Sequence, residues 1–389
     1  MLFLSTNPVK QLRRILGTRK VFGTPEILAL YSVDATQFKR RPQIVVFAEK
    51  AEDISLTVKF AAEEGFSITP RGAGSGLSGG SVPYESQIVL SCERMKDIEL
   101  INLKTKTAFV EPGVITADLQ KAVLKKGLFY PPDPSSNTIS TIGGNVAENA
   151  GGLRCFKYGV TGHYVLGLEY IDAKAQIQKT GIFNSQTQEP DLTSLFVGSE
   201  GSLGIVSKIA LRLIPPPPRS VTIAACFNES SKAFQSIEDL LKSGMLPSVL
   251  EFLDHYTISS AAQHCKIILA PETRALILME LDGSLDGIES KTATRILTNH
   301  SFKVEIATEK KHREKLWLLR KSISPSLIRL SSGIIHEDIA VPRGKLYNFY
   351  QQAVKISLSE KIRIAVFGHA GDGNLHINIL FDNNSPSSA

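Results

Sequence analysis

The stretch FGHAGDGNLHINIL, Phe367–Leu380, brackets a Gly-Asp-Gly turn with two imidazoles, His369 and His376, in a chain that has only eight histidines. Apolar residues on either side read as two strands, Ile362–Phe367 and Leu375–Phe381, joined by residues 370–374. Such a hairpin brings cross-strand neighbours to about 5 Å, and two imidazoles at that spacing can share a metal at about 2.0–2.1 Å per bond. One structural and one exposed histidine would satisfy the same pattern, and spacing alone favours that plainer reading. Arg320 is a second chemical candidate, in a helix-like segment beside Trp317, the sole tryptophan. A guanidinium fork matches a carboxylate bidentately; a surface arginine paired with Glu314 is the bland alternative. Ser324, one turn on, could join Arg320, and His336 is a weaker candidate. The remaining histidines, His163, His255, His264, His300 and His312, receive no chemical role.

A different kind of chemistry is written in three small-residue stretches. TPRGAGSGLSGG, Thr69–Gly80, has five glycines in twelve residues and follows a short strand. Glycine lets backbone approach a ligand closely, and successive N–H groups in such a loop form a nest for an anion such as a pyrophosphate. The loop lacks the lysine of a P-loop and the helix of a Rossmann fingerprint, so by itself it is equally a surface loop. PPDPSSNTISTIGGNVAENAGG, Pro131–Gly152, adds a rigid proline segment, a double glycine and the amides of Asn145 and Asn149. VGSEGSLGIV, Val197–Val206, is the third. Convergence on one extended, phosphate-bearing cofactor explains all three together.

Elements must hold these groups in place. Gln43–Ala48 and Ser67–Thr69 read as strands, and Glu52–Glu64 as a helix stopped by Gly65. Thr116–Lys126 reads as a helix with Thr116 as N-cap and Gly127 past its end. Tyr164–Thr180 reads as a hairpin and Ser207–Leu213 as a strand. IPPPPR, Ile214–Arg219, can continue neither a helix nor a central strand, which puts a domain boundary there: residues 1–218 and 219–389. Beyond it, strands Val221–Phe227, Ser248–Leu253 and Ala275–Leu281 alternate with helices Ser231–Ser243 and Gly287–His300, an α+β layer with helices expected on one face of a sheet.

Composition narrows the class. Of 389 residues 42% are hydrophobic and 21% charged, and 44 basic against 38 acidic residues leave a dispersed +6. No basic block is interleaved with aromatics, which argues against nucleic acid as a partner. Cys92, Cys155, Cys226 and Cys265 are widely spaced, without a C-x-x-C, which favours a reducing compartment. The N-terminus, MLFLSTNPVKQLRR, is expected to be neither signal peptide nor membrane span, and residues 2–17 read as a short helix.

The glycine stretches, together with YSVDATQF (Tyr31–Phe38), KYGVTGHYVLGLE (Lys157–Glu169), LWLLRKSISPSL (Leu316–Leu327), EDIAVPRGKL (Glu337–Leu346) and GHAGDGNLH, resemble the vanillyl-alcohol oxidase superfamily. The resemblance is nearest to the branch of the glycolate oxidase FAD subunit and D-lactate dehydrogenase. It implies a PCMH-type, two-subdomain FAD-binding domain followed by a ferredoxin-like α+β cap, incomplete at its C-terminus. It implies FAD at Arg71, Gly72, Ala73, Gly74, Ser75, Gly76 and Leu77. It adds Pro132, Asp133, Ser136, Thr141, Gly143, Gly144, Asn145, Ala147, Asn149, Gly151 and Gly152, then Glu200, Gly201, Ile205 and Val206, and Asn374. No histidine lies between Thr69 and Gly80, so the flavin is expected to be non-covalent. By the same resemblance Arg320, with Ser324, receives a substrate carboxylate, and His369 and His376 bind a divalent metal such as zinc.

The implied reaction is oxidation of a small 2-hydroxy acid, of glycolate or D-lactate type, to the 2-oxo acid. Electrons would leave to a quinone, a cytochrome or a partner subunit, and the enzyme would be cytoplasmic or peripheral at the inner face of the membrane. One departure stands against this. Relatives continue past GDGNLH to a Glu-His-Gly motif that supplies a third metal ligand and the catalytic histidine, and this chain has no Glu-His-Gly. A silent FAD-binding remnant, or a subunit completed by a partner, is therefore the competing expectation.

Overall fold

The computed structural model describes residues 7–36, 38–84, 87–184, 190–283 and 287–382. The polar tail NNSPSSA lies outside them, as do the first residues of the expected leading helix, which is seen as Pro8–Leu16. The chain divides into two compact units: Met1–Gly152 with Gly159–Pro216, and Leu153–Tyr158 with Pro217–Ala389.

The first unit carries two sheets. Strands β1 (Val21–Phe22), β2 (Ile44–Phe47), β3 (Ser67–Arg71) and β4 (Gln87–Ser91) form a sheet ordered β1-β2-β4-β3. β2, β3 and β4 are parallel. Parallel strands need a crossover, and the helix Ala51–Glu64 supplies it between β2 and β3. Gly65 ends that helix with φ +75° and returns its N–H to the Ala61 carbonyl, as its position forecasts. β2 is buried at all four positions, the mark of a strand covered on both faces. The second sheet is antiparallel: β5 (Ile98–Asn102), β6 (Thr107–Val110), β7 (Val165–Ile171), β8 (Ile177–Lys179) and β9 (Ile205–Arg212), in the order β5-β6-β9-β7-β8. Against its face pack Leu119 and Val123 of the helix Thr116–Leu124 and Ile142 and Val146 of the helix Ile142–Glu148. Thr116 is not the cap expected of it. It is the first helical residue, fully buried, and its hydroxyl bonds Ser140 and accepts from Asn145.

The second unit is built on one antiparallel sheet of seven strands: β10 (Ser220–Phe227), β11 (Val249–Asp254), β12 (Ala275–Asp282), β13 (Lys303–Ala307), β14 (Gly333–Ala340), β15 (Arg363–His369) and β16 (Asn374–Phe381). Their order is β13-β10-β12-β11-β15-β16-β14. Helices cover both faces, not one. Ile223, Phe252, Ile277 and Ile377 pack with the helices Ser230–Lys242, Ile288–Thr298 and Leu346–Ser359. Ala224, Leu253, Leu278 and Phe367 pack on the opposite face with the helices His255–Cys265, Lys310–Lys321 and Ile323–Ile328. The uninterrupted burial of all eight β12 residues is the reason: neither set of alternate side chains faces water.

Leu153–Tyr158 joins this unit through its side chains. Lys157 Nζ lies 2.6 Å from Asp282 Oδ1, and the Tyr158 hydroxyl donates to Asp282 Oδ2 at 2.8 Å. The Phe156 ring sits so close to Gly371 that a Cβ there would approach it to 2.7 Å.

Candidate active site and cofactor cradle

Strand register sets a row of polar groups across one face of the seven-stranded sheet. Glu251 of β11 stands opposite His369 of β15, Phe367 opposite His376 of β16, and His376 opposite Asp338 of β14. Directly paired residues share a face, and residues two apart along a strand do so too. Phe367, His369 and His376 are therefore neighbours by construction, and the two imidazole centres lie 4.9 Å apart.

Glu251 is fully buried, and each of its oxygens has its own partner. Oε1 is 2.5 Å from His369 Nδ1, and Oε2 accepts from Arg320 Nε at 2.5 Å. Burial alone would raise this carboxyl. The imidazole and guanidinium overcome that and hold it down at about 2. His369 moves the opposite way: burial disfavours its cation, but Glu251 more than compensates, so its pKa is raised. His376 Nδ1 is held likewise, 2.5 Å from Asp338 Oδ1. Burial opposes ionisation of Asp338 too, yet His376, His369 and Asn374 keep its pKa below the usual range.

Arg320 is 8% exposed, its guanidinium 4.6 Å above the Phe367 ring. Among the described residues only Nε has a hydrogen-bond partner, so the two terminal nitrogens keep their donors for an incoming group. The surface pairing with Glu314 is not formed. Ser324 is exposed in the next short helix and makes no hydrogen bond with this cluster, whereas Ser326 is buried against Ser260. Asn374 opens β16. His336 bonds Asn378 and makes no hydrogen bond with the imidazole pair.

The first unit holds its candidate residues by backbone. Gly72, Gly74 and Gly201 are tied to neighbours that leave no room for a side chain. A Cβ on Gly72 would lie 2.2 Å from Thr141 Oγ1, one on Gly74 2.1 Å from the Arg71 guanidinium, and one on Gly201 2.4 Å from Pro70. Glu200 and Gly198 donate their N–H groups to the carbonyls of Ala147 and Val146 at 2.9 Å. The three glycine stretches therefore meet. Thr141 Oγ accepts from Gly144 N, and Asn149, with φ +48°, accepts from Gly162 N. Gly152 lies against the Asp133 carbonyl, and Pro132 accepts from Gln120.

Arg71 lies beneath its loop: Nη1 donates to the Ser81 carbonyl, and the guanidinium stands 5.2 Å from the Tyr31 ring. Along Gly72–Leu77, the backbone N–H groups have no hydrogen-bond partner among the described residues. Such a run of free donors fits the oxygens of a pyrophosphate. Glu148, which accepts from Ser78, is raised by burial and by neighbouring Glu200 and Asp34. Ile205 packs into one hydrophobic core and Val206 against another on the opposite side, as alternation in a strand requires.

The FAD binding domain family matches residues 42–181, and the C-terminal domain of FAD linked oxidases matches residues 216–389. The glycolate oxidase subunit GlcD of Bacillus subtilis is 40% identical over 377 residues, 95% of this chain and 80% of the relative. The chain belongs to the FAD-linked oxidases.

Further relatives of this FAD-linked oxidase are GlcD of Escherichia coli, 32% identical over 98% of the chain and 77% of the relative, and a D-lactate dehydrogenase of Archaeoglobus fulgidus, 33% identical over 86% and 74%. Among solved structures, p-cresol methylhydroxylase with substrate bound aligns with a TM-score of 0.80 over 97% of this chain and 83% of that one, at 16% identity. Alkyldihydroxyacetonephosphate synthase aligns at 0.79 over 97% and 81%, also at 16%. At those identities the likeness speaks to the fold, which is the PCMH type. No helix among the described residues is long and apolar enough to cross a membrane.

Two functional candidates in this oxidase escape motif reading. Glu251 stands within VLEFLD, and a carboxylate flanked on both sides by apolar residues was the available signal. Asp338 lies in the EDIAVP motif, where nothing in the sequence pairs it with His376.

Proposed function

We propose that this FAD-linked oxidase oxidises a small 2-hydroxy acid of glycolate or D-lactate type to the 2-oxo acid. Residues 1–218 would carry non-covalent FAD and residues 219–389 the acid. The observation that carries the reading is the buried Arg320, whose side is fixed by Glu251 and whose terminal nitrogens remain available. That arrangement suits a carboxylate held by two parallel hydrogen bonds. FAD, when bound, supplies the acceptor for the two electrons. The chain's own residues anchor the carboxylate and hold the imidazoles beside it. With Nδ1 of His369 and His376 turned to carboxylates, their Nε2 atoms are the ones free to bind a divalent cation, the arrangement usual in metal-ligating histidines. Such a cation would polarise the hydroxyl.

Among the described residues no group of three or more His, Cys, Asp or Glu side chains that could hold a metal ion is formed, and the two carboxylates at these histidines sit on Nδ1. This favours a second reading, in which another polypeptide completes the site. Anaerobic mixing of the flavin-loaded protein with glycolate or D-lactate tests both. Bleaching of the flavin band supports the first, whereas a yellow protein indifferent to a panel of 2-hydroxy acids rejects it for the chain alone.

A further inference from the structure

We propose that Glu251 is a positioning residue that yokes the acid anchor to the His369 imidazole, so that neither Arg320 nor His369 is held independently of the other. The inference rests on the functional reading above and adds to it a residue and a coupling. Its basis is geometric. One fully buried carboxylate spends Oε1 on His369 Nδ1 and Oε2 on Arg320 Nε, each at 2.5 Å. Arg320 and His369 are 49 residues apart in sequence, and they come from different elements, the helix Lys310–Lys321 and the end of β15. No direct hydrogen bond joins them among the described residues.

Glu251 itself is rigid. It sits inside β11 between β12 and β15, paired with Leu278 on one side and His369 on the other. A buried carboxylate bonded through both oxygens fixes two partners at once. It ties down Nε of the Arg320 fork, leaving the two terminal nitrogens without a partner among the described residues, and it selects the Nδ1–H tautomer of neutral His369, leaving Nε2 with its lone pair. Phe367, beneath the guanidinium and next to His376, closes the same group from below.

Two conservative substitutions at this carboxylate behave differently from each other. Glu251→Gln keeps the shape but must present its NH2 to one of two groups that are themselves donors. Glu251→Asp keeps the charge but is too short to span both partners.

The test uses the FAD-loaded 389-residue chain and three readouts that a purely structural role would not move together. Oxalate is titrated calorimetrically after removal of metal, Zn2+ is titrated without oxalate, and the imidazole nitrogens of His369 are followed by long-range 1H–15N spectra at a pH where the ring is neutral. In Glu251→Gln, both affinities are expected to fall roughly 10–100-fold, the range found when a partner behind a metal-binding histidine is removed, and the His369 spectrum to move towards the Nε2–H tautomer. Glu251→Asp, the variant kept in case Glu251→Gln does not fold, is expected to recover one affinity at most. Either variant, folded, binding both probes within twofold of the wild type with an unchanged tautomer would overturn the yoke. A wild-type chain that binds neither oxalate nor Zn2+ would instead overturn the acid-anchor reading, and the yoke with it.

Discussion

The glycine cradle of the first unit and the ionic row of the second hold their groups by opposite means. In the cradle, the fit is made by what is missing: Gly72, Gly74 and Gly201 each sit where a single added carbon would collide with Thr141, Arg71 or Pro70. In the row, the fit is made by charge that has been buried and then matched, with Glu251 between Arg320 and His369. The first kind of site fails through crowding. The second fails through an orphaned ion, and orphaned ions cost more.

The largest effect should come from breaking the row. Glu251→Ala strands a guanidinium and an imidazole in the interior and is expected to destabilise the second unit by about 3–5 kcal/mol, read by denaturant unfolding. Arg320→Lys keeps the charge but loses the fork. It should weaken acid binding by about 1.5–3 kcal/mol, the value of hydrogen bonds to charged groups, with flavin content unchanged. A loss of flavin in that variant would break the comparison. Gly72→Ala should do the reverse, lowering flavin occupancy at a packing cost of about 1–3 kcal/mol while a metal-free oxalate titration stays as in the wild type.

A subtler test concerns Asp254, which accepts backbone N–H groups from Thr257 and Val366 and is buried. Desolvation pushes its pKa from 3.8 to about 6 despite those bonds. The folded state therefore prefers the proton. The associated stability is complete below about pH 4 and is lost as pH rises through about 6. Thermal melts between pH 4 and pH 8 should show this decline, and Asp254→Asn should flatten it. Smallest of all, Ser324→Ala should change stability and oxalate affinity by less than about 0.5 kcal/mol, as expected for an exposed site; a tenfold loss of affinity would give Ser324 the role its neighbourhood in sequence suggests.

What could be read from the sequence divides along the same line. Glycines declare themselves by their density, and so the three stretches that meet at Thr141, Ala147 and Pro70 stand out in the chain. The hairpin carrying His369 and His376 is legible from its alternation and its Gly-Asp-Gly turn. The carboxylates behind those histidines are not: Glu251 is 118 residues from His369, and Asp338 is 38 from His376. Only strand order makes them neighbours, and no local pattern encodes the placement of β11 beside β15. Arg320 shows the same limit. Glu314 is its obvious sequence partner, but the buried Glu251 is its actual one. The double covering of the sheet could have been anticipated, since ALILMELD offers no polar face along most of its length.

Residues Leu153–Tyr158 carry a consequence for anyone who would shuffle these oxidases. The polypeptide enters the second unit there, returns at Gly159, and leaves for good only after Pro216. A chimera spliced at the proline run would take its hexapeptide from one parent and Asp282 from the other, and Lys157 and Tyr158 would need to find an acid in a foreign strand. Recombination that respects the molecule has to carry the hexapeptide with the distal half, as a graft into the proximal one.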